Sequence, residues 1–150
     1  LVLRTTFIVG YPGETEAEFQ ALLDFMSAER FENVGVFAFS PEAGTPAADM
    51  PGQVAPRLRE ERRRRAMLHQ QAISLAANKA LVGADLQVLI EGQAEQHGRH
   101  AEPLAVGRSY RHAPEIDGLV FVRGRAAVGD MVNVRVTGAT EYDLWGDVIA

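Results

Sequence analysis

The sequence predicts an α/β segment followed by a small all-β domain. Three observations carry that expectation: a strand, helix, strand succession at the start, a change of composition after Val82-Gly83, and five short strand-like runs in the remainder.

Leu1 to Val9 is rich in β-branched and apolar residues and ends at Gly10-Tyr11-Pro12-Gly13, which neither a strand nor a helix continues through. Thr15 and Glu18 have capping-box spacing, in which each side chain satisfies a backbone N–H of a helix start. Phe19, Leu22, Leu23 and Met26 follow at i, i+3, i+4 and i+7, one apolar helical face. Val34 to Phe39 is apolar on both faces, as in a strand covered by helices, so a parallel pair with a right-handed crossover is expected.

Ser40 to Pro56 has four prolines and two glycines without apolar periodicity and reads as a long loop. A helix is expected from Arg57 to about Ala80. Leu58, Ala66, Met67, Ile73, Ala76 and Ala77 would form a discontinuous buried face. The run Arg62 to Arg65 winds around the helix and is expected to be largely solvated, and Glu60 and Glu61 lie four residues before Arg64 and Arg65, an order that supports the helix.

After residue 82 the strand candidates are Leu86 to Ile90, Leu104 to Ser109, Leu119 to Val122, Val132 to Val136 and Leu144 to Ile149. Val132, Val134 and Val136 alternate with Asn133 and Arg135. Five such strands in so short a length predict a closed barrel, because closure removes exposed edges. The expected domains are therefore 1–82 and 83–150.

Composition bounds the function. With 47% hydrophobic residues the chain can bury a real core, and a net charge of -5 argues against a protein that coats nucleic acid non-specifically. The absence of cysteine excludes disulfides and thiolate metal sites within these residues and is compatible with a cytoplasmic location. No apolar run approaches the roughly 20 residues that span a bilayer, so no membrane partner is expected. The opening at Leu1, without methionine and directly in a strand, leads us to expect a piece of a longer protein.

Gly10 to Thr15 lies where a strand meets a helix, the position at which α/β folds place ligand loops, although a tight turn followed by a cap explains the same residues. It is neither a Walker loop nor a dinucleotide fingerprint. Ser40 and Thr45 have hydroxyls that a ligand could use, but turn formation accounts for them more simply. His97 and His100 sit in an expected hairpin tip and lack further metal ligands, and Ser109, His112 and Asp117 have triad composition without a nucleophile elbow. Neither set is expected to be a site.

Ile8 to Thr15, the segment Gly107-Arg108-Ser109 followed by Ala113 to Gly118, and Tyr142 to Gly146 together resemble the RimO-type methylthiotransferases, radical S-adenosylmethionine enzymes. The resemblance extends over essentially the whole chain. It implies the last strands and helices of a partial (β/α) radical SAM barrel over 1–82, then a five-stranded OB-like TRAM barrel. It further implies that Ile8 and Gly10 border S-adenosylmethionine with Phe39 beside the adenine, and that the parent enzyme carries two [4Fe-4S] clusters, held by thiolates outside these residues. These residues alone are then expected to be inactive.

The implied reaction adds a methylthio group to the β-carbon of an aspartate in a small-subunit ribosomal protein, free or within the ribosome. In sister enzymes that modify transfer RNA the TRAM module binds the RNA, whereas Pro114 to Gly118 and Tyr142 to Gly146 are similar to the ribosomal-protein branch. Glu115, Asp117, Glu141 and Asp143 would repel phosphate and attract a basic protein. Arg108, Arg111 and Arg123 would balance these acids or reach RNA.

Arg108, Glu115, Asp117 and Trp145 are thus the expected substrate contacts, with a solvated turn as the simpler account of Glu115 and Asp117 and packing as that of Trp145. Tyr110 and Phe121 offer stacking surfaces for a base. At position 112 His stands where the family usually has Asp, which argues against a critical role there. Two other readings stay open: part of a transfer-RNA methylthiotransferase, and a non-catalytic protein- or RNA-binding module.

Overall fold

The computed structural model describes residues 2–94 and 104–149, and the chain divides into two compact units, Leu1–Ile73 and Ser74–Ala150. The elements run β1 (Arg4–Val9), α1 (Glu16–Glu29), β2 (Asn33–Ala38), α2 (Pro46–Asp49), α3 (Pro56–Lys79), β3 (Asp85–Ala94), β4 (Leu104–Ser109), β5 (Val120–Arg123), β6 (Met131–Ala139) and β7 (Leu144–Val148).

In the first unit β1 and β2 pair in parallel, from Arg4 opposite Asn33 to Val9 opposite Ala38. α1 starts at the expected capping box: Thr15 Oγ1 accepts the Glu18 N–H at 3.2 Å, and Glu18 Oε2 accepts the Thr15 N–H at 2.8 Å. Its apolar face buries Phe19, Leu23 and Met26 against Val9 and Val36 of the sheet and Ala66 and Ile73 of α3. Phe7, Leu22, Val34 and Met67 pack around this core.

Four expectations need correction. The strands are not covered on both faces: Phe7, Val9, Val34 and Val36 meet the helices, while Ile8 is 59% and Phe37 61% exposed, because α1 and α3 occupy one side of a two-stranded sheet. The Ser40 to Pro56 loop contains one helical turn, Pro46–Asp49, with proline at the helix start, where a missing N–H costs nothing. The buried face of α3 runs through Arg59, Arg62, Ala66, Gln70 and Ile73, while Leu58 is half-buried and Ala76 exposed. Arg62, expected in solvent, is only 3% exposed, because it meets the half-buried carboxylate and the carbonyl of Glu14 near the start of α1.

In the second unit β3 to β7 close a barrel in the order β3-β4-β5-β7-β6, with β6 returning to β3. β3 is long because it serves two partners, β6 over Asp85 to Leu89 and β4 over Val88 to Ala94, with a register shift between Ile90 and Gly92. β5 and β7 are parallel and the other pairs antiparallel. Period-2 alternation sends Leu86, Val88, Ile90, Ala105, Val120, Val122, Val134, Val136 and Leu144 into one core. Each fully buried valine, leucine or isoleucine contributes about 1.5–3 kcal/mol. The five-stranded barrel bears out the sequence expectation, with ends shifted by a few residues.

Candidate functional site

One end of the barrel is built from the β4–β5 connection and the β6–β7 connection. At its start, the His112 N–H donates to the Ser109 carbonyl at 3.1 Å, closing a turn. His112 Nδ1 accepts the Ser109 N–H at 3.3 Å and lies 3.1 Å from Ser109 Oγ, which in turn accepts the Arg111 N–H at 3.3 Å. Burial holds the His112 pKa below its ordinary 6.5, with the Asp117 charge opposing. Burial thus favours the neutral imidazole, whose Nδ1 completes the turn as an acceptor. Ser109 is buried, so this pair offers no accessible nucleophile.

The next segment, Ala113 to Gly118, folds on itself. Asp117 Oδ2 accepts the Ala113 N–H at 2.6 Å, and the Asp117 N–H returns to the Ala113 carbonyl at 3.3 Å. Glu115 has φ 62°, a left-handed conformation uncommon for a residue with a side chain, and is exposed. Gly118 then passes so close to Tyr142 that a Cβ there would overlap the Tyr142 carbonyl oxygen. The Leu119 N–H donates to Asp143 Oδ1 at 2.8 Å, and the Leu144 N–H to the Leu119 carbonyl at 2.9 Å. Thr140 closes the facing turn, its Oγ1 accepting the Asp143 N–H at 2.9 Å.

The two motifs most distant from the chain's start are thus one structure. Tyr110, Ile116, Leu119 and Tyr142 are exposed in the same two connections as Glu115, with Glu141 and Asp143 half-buried there. Such a surface can accept a basic partner that also offers apolar contacts.

The other expected substrate residues lie on the barrel wall. Arg108 pairs with Glu91 at 2.7 Å and Arg123 with Asp147 at 2.7 Å, so these two pairs tie the arginines to acids of the barrel strands and not to Glu115 or Asp117. Trp145 pairs with Phe121 across β5 and β7, and their rings stack with centroids 4.4 Å apart and 18° between planes. Trp145 remains 36% exposed, so stacking on Phe121 leaves part of the side chain at the surface. Arg111 lies over the Tyr110 ring at 6.0 Å.

In the first unit, Gly10 leaves β1 with φ 75°, and its N–H donates to Glu14 Oε1 at 2.9 Å. The Glu14 N–H closes the turn on the Tyr11 carbonyl at 2.9 Å, and the Gly13 N–H reaches the Gly52 carbonyl at 2.8 Å. Phe39 follows β2 and meets Tyr11 edge-on, with ring centroids 5.2 Å apart. Gly10 and Phe39 are brought together at the ends of the paired strands, and Ile8 lies on the open sheet face opposite Phe37.

Sequence reading missed Arg59 and Arg62, which hold this loop from α3. Their only signal is spacing, since 59, 62, 66, 70 and 73 fall on one helical face. Among the described residues no group of three histidine, cysteine, aspartate or glutamate side chains is placed to hold a metal, and no helix is long and apolar enough to cross a membrane. His97 and His100 lie outside the described residues.

Residues 82–149 match the TRAM domain family. Over its whole length the chain is 50% identical to the ribosomal protein uS12 methylthiotransferase RimO of Chloroflexus aurantiacus, covering 32% of that protein. It is 51% identical over 99% of its length to the RimO of Roseiflexus castenholzii, covering 30% of it, and 51% identical over 100% to that of an Anaeromyxobacter species, covering 31%. By sequence, the chain is similar over its whole length to proteins named RimO. It spans about a third of the length of these RimO relatives and corresponds to their C-terminal part.

Proposed function

We propose that these residues are the C-terminal portion of a cytoplasmic methylthiotransferase that adds a methylthio group to the β-carbon of an aspartate in ribosomal protein uS12, and that the barrel end recruits that protein. One observation carries the reading: Ala113 to Gly118 and Tyr142 to Gly146, which carry the resemblance to the ribosomal-protein branch, converge into a single acidic and apolar surface. A ribosomal protein is basic, and acidic residues at a docking surface raise its encounter rate and disfavour RNA phosphate. Glu115 makes the direct contact, and Asp117 shapes the loop that presents it. Trp145 and Arg108 extend the surface along the wall.

The first unit contributes one border of the S-adenosylmethionine site. The residues fit such a group: Ile8 offers an exposed apolar side chain on an open sheet face, and Gly10 and Phe39 stand at the ends of the same strands. They do not fit cluster ligation, because the chain has no cysteine. The two [4Fe-4S] clusters of the proposed enzyme are therefore held by other residues, and these 150 residues alone do not turn over. Bound S-adenosylmethionine and the clusters supply the radical and sulfur chemistry, while these residues bind and orient.

The test is binding and turnover by the full-length protein containing this chain, with its clusters reconstituted. Methylthiolation of uS12 detected by mass spectrometry is expected. The double variant Glu115→Gln with Asp117→Asn should weaken uS12 binding about tenfold, roughly 1.4 kcal/mol, while 5′-deoxyadenosine release without uS12 is unchanged. Unchanged affinity would refute the docking assignment. Methylthiolation of transfer RNA in place of uS12, with a steep loss of RNA affinity in salt, would establish the transfer-RNA enzyme.

A further inference from the structure

Two arginines of α3 are buried directly behind the β1–α1 loop. Each nitrogen of the Arg59 guanidinium donates a hydrogen bond: Nε to the Val54 carbonyl at 2.6 Å, Nη1 to the Phe39 carbonyl at 3.2 Å, and Nη2 to Gln53 Oε1 at 2.9 Å. Its plane centre lies 5.3 Å from the Phe39 ring centroid. Its stem also sets the backbone of Gly10, where a Cβ would come within 2.5 Å of Arg59 Cγ and 2.9 Å of Cβ. Only glycine at position 10 lets the loop and this arginine approach so closely.

Arg62 stands three residues further along the same face. Its Nη1 donates to Glu14 Oε1 at 2.7 Å and to the Glu14 carbonyl at 3.0 Å, and the same Oε1 accepts the Gly10 N–H at 2.9 Å. One carboxylate oxygen therefore ties Gly10 to Arg62. Gly10 and Phe39 are each fixed by an arginine of a helix that carries no proposed cofactor contact.

We propose that Arg59 and Arg62 are positioning residues for the cofactor loop, setting the affinity for S-adenosylmethionine by holding Gly10 and the Phe39 ring in the bound geometry before the ligand arrives. This rests on the assignment of Gly10 and Phe39 to the cofactor border. The energetic logic is preorganisation: loops already held by hydrogen bonds lose less conformational freedom on binding. A residue needed only to fill the core would affect melting and leave the ligand affinity of the folded protein unchanged.

The test is equilibrium dialysis of S-adenosylmethionine against the cluster-reconstituted full-length protein and its variants Arg59→Lys, Arg62→Lys and Gln53→Ala. Lysine keeps the charge but cannot reproduce the forked contacts of Arg59. We expect Kd to rise about tenfold in Arg59→Lys and Arg62→Lys, and kcat at saturating S-adenosylmethionine to fall less than about twofold, with the loss appearing in KM. Gln53 is exposed, so Gln53→Ala guards against misfolding of the arginine variants. Releasing Nη2 should raise Kd about threefold. Variants that fold and bind within about twofold of wild type would overturn the proposal. A wild-type protein with no affinity for S-adenosylmethionine would instead overturn the cofactor assignment, and this inference with it.

Discussion

Replacing Arg62 with methionine tests whether a charged pair stabilises the first unit. The pair is secluded, with Arg62 3% and Glu14 15% exposed. Arg62→Met removes a 2.7 Å bond to the Glu14 carboxylate and a 3.0 Å bond to its carbonyl, and leaves that carboxylate with the Gly10 N–H. Breaking one side of a buried pair costs about 3–5 kcal/mol. Against this stands Arg62 Nε, which is buried without an acceptor, so its removal recovers about 1–3 kcal/mol. The difference leaves a loss of about 2 kcal/mol. For a unit of this size, that corresponds to a melting shift of about 10 °C. Far-UV circular dichroism follows it, since α1, α2 and most of α3 lie in the first unit. The double variant Arg62→Met with Glu14→Gln should recover about half the loss, because no uncompensated charge remains buried. A single variant as stable as wild type would refute the reasoning, showing that desolvation of the guanidinium offsets all it gains.

Gly118→Ala forces a methyl group into the Tyr142 carbonyl and should destabilise the barrel by about 1–3 kcal/mol, read from the thermal transition of Trp145 fluorescence. An unchanged transition would mean that the two connections are not packed as described. His112 gives the barrel a pH dependence of defined sign. Its native pKa is depressed, so the unfolded chain takes up the proton first, and stability is lost as pH falls from 6.5 toward the lower native value. His112→Asn retains an acceptor for the Ser109 N–H and should flatten that dependence; an equally steep fall in the variant would assign it to other groups.

Much of the fold was legible because its determinants are local. The capping box at Thr15 and Glu18, the apolar spacing of α1 and the alternation of Val132, Val134 and Val136 each specify an element from residues a few positions apart. What escaped was the buried polar stripe of α3. An apolar pattern is legible because nearly any neighbour can bury it, but a buried arginine depends on distant acceptors. Arg59 and Arg62 need the carbonyls of Phe39, Val54 and Glu14, and no spacing within 57–80 announces those partners. The four consecutive arginines look alike in sequence; in the fold Arg63 pairs with exposed Glu60, while Arg62 goes inside.

Ala113 to Gly118 and Tyr142 to Gly146 were recognisable separately, but their contact joins residues more than 20 positions apart and no local spacing announces it. They are ordered by each other: Gly118 permits the contact, Asp143 accepts the Leu119 N–H, and the parallel pairing of β5 and β7 continues from it. That mutual support explains why an exposed acid such as Glu115 is held in a left-handed conformation that a free loop would abandon. The conformation fixes where its carboxylate is presented. In the proposed docking surface, that fixed position sets where a basic side chain of the partner would have to lie to meet Glu115.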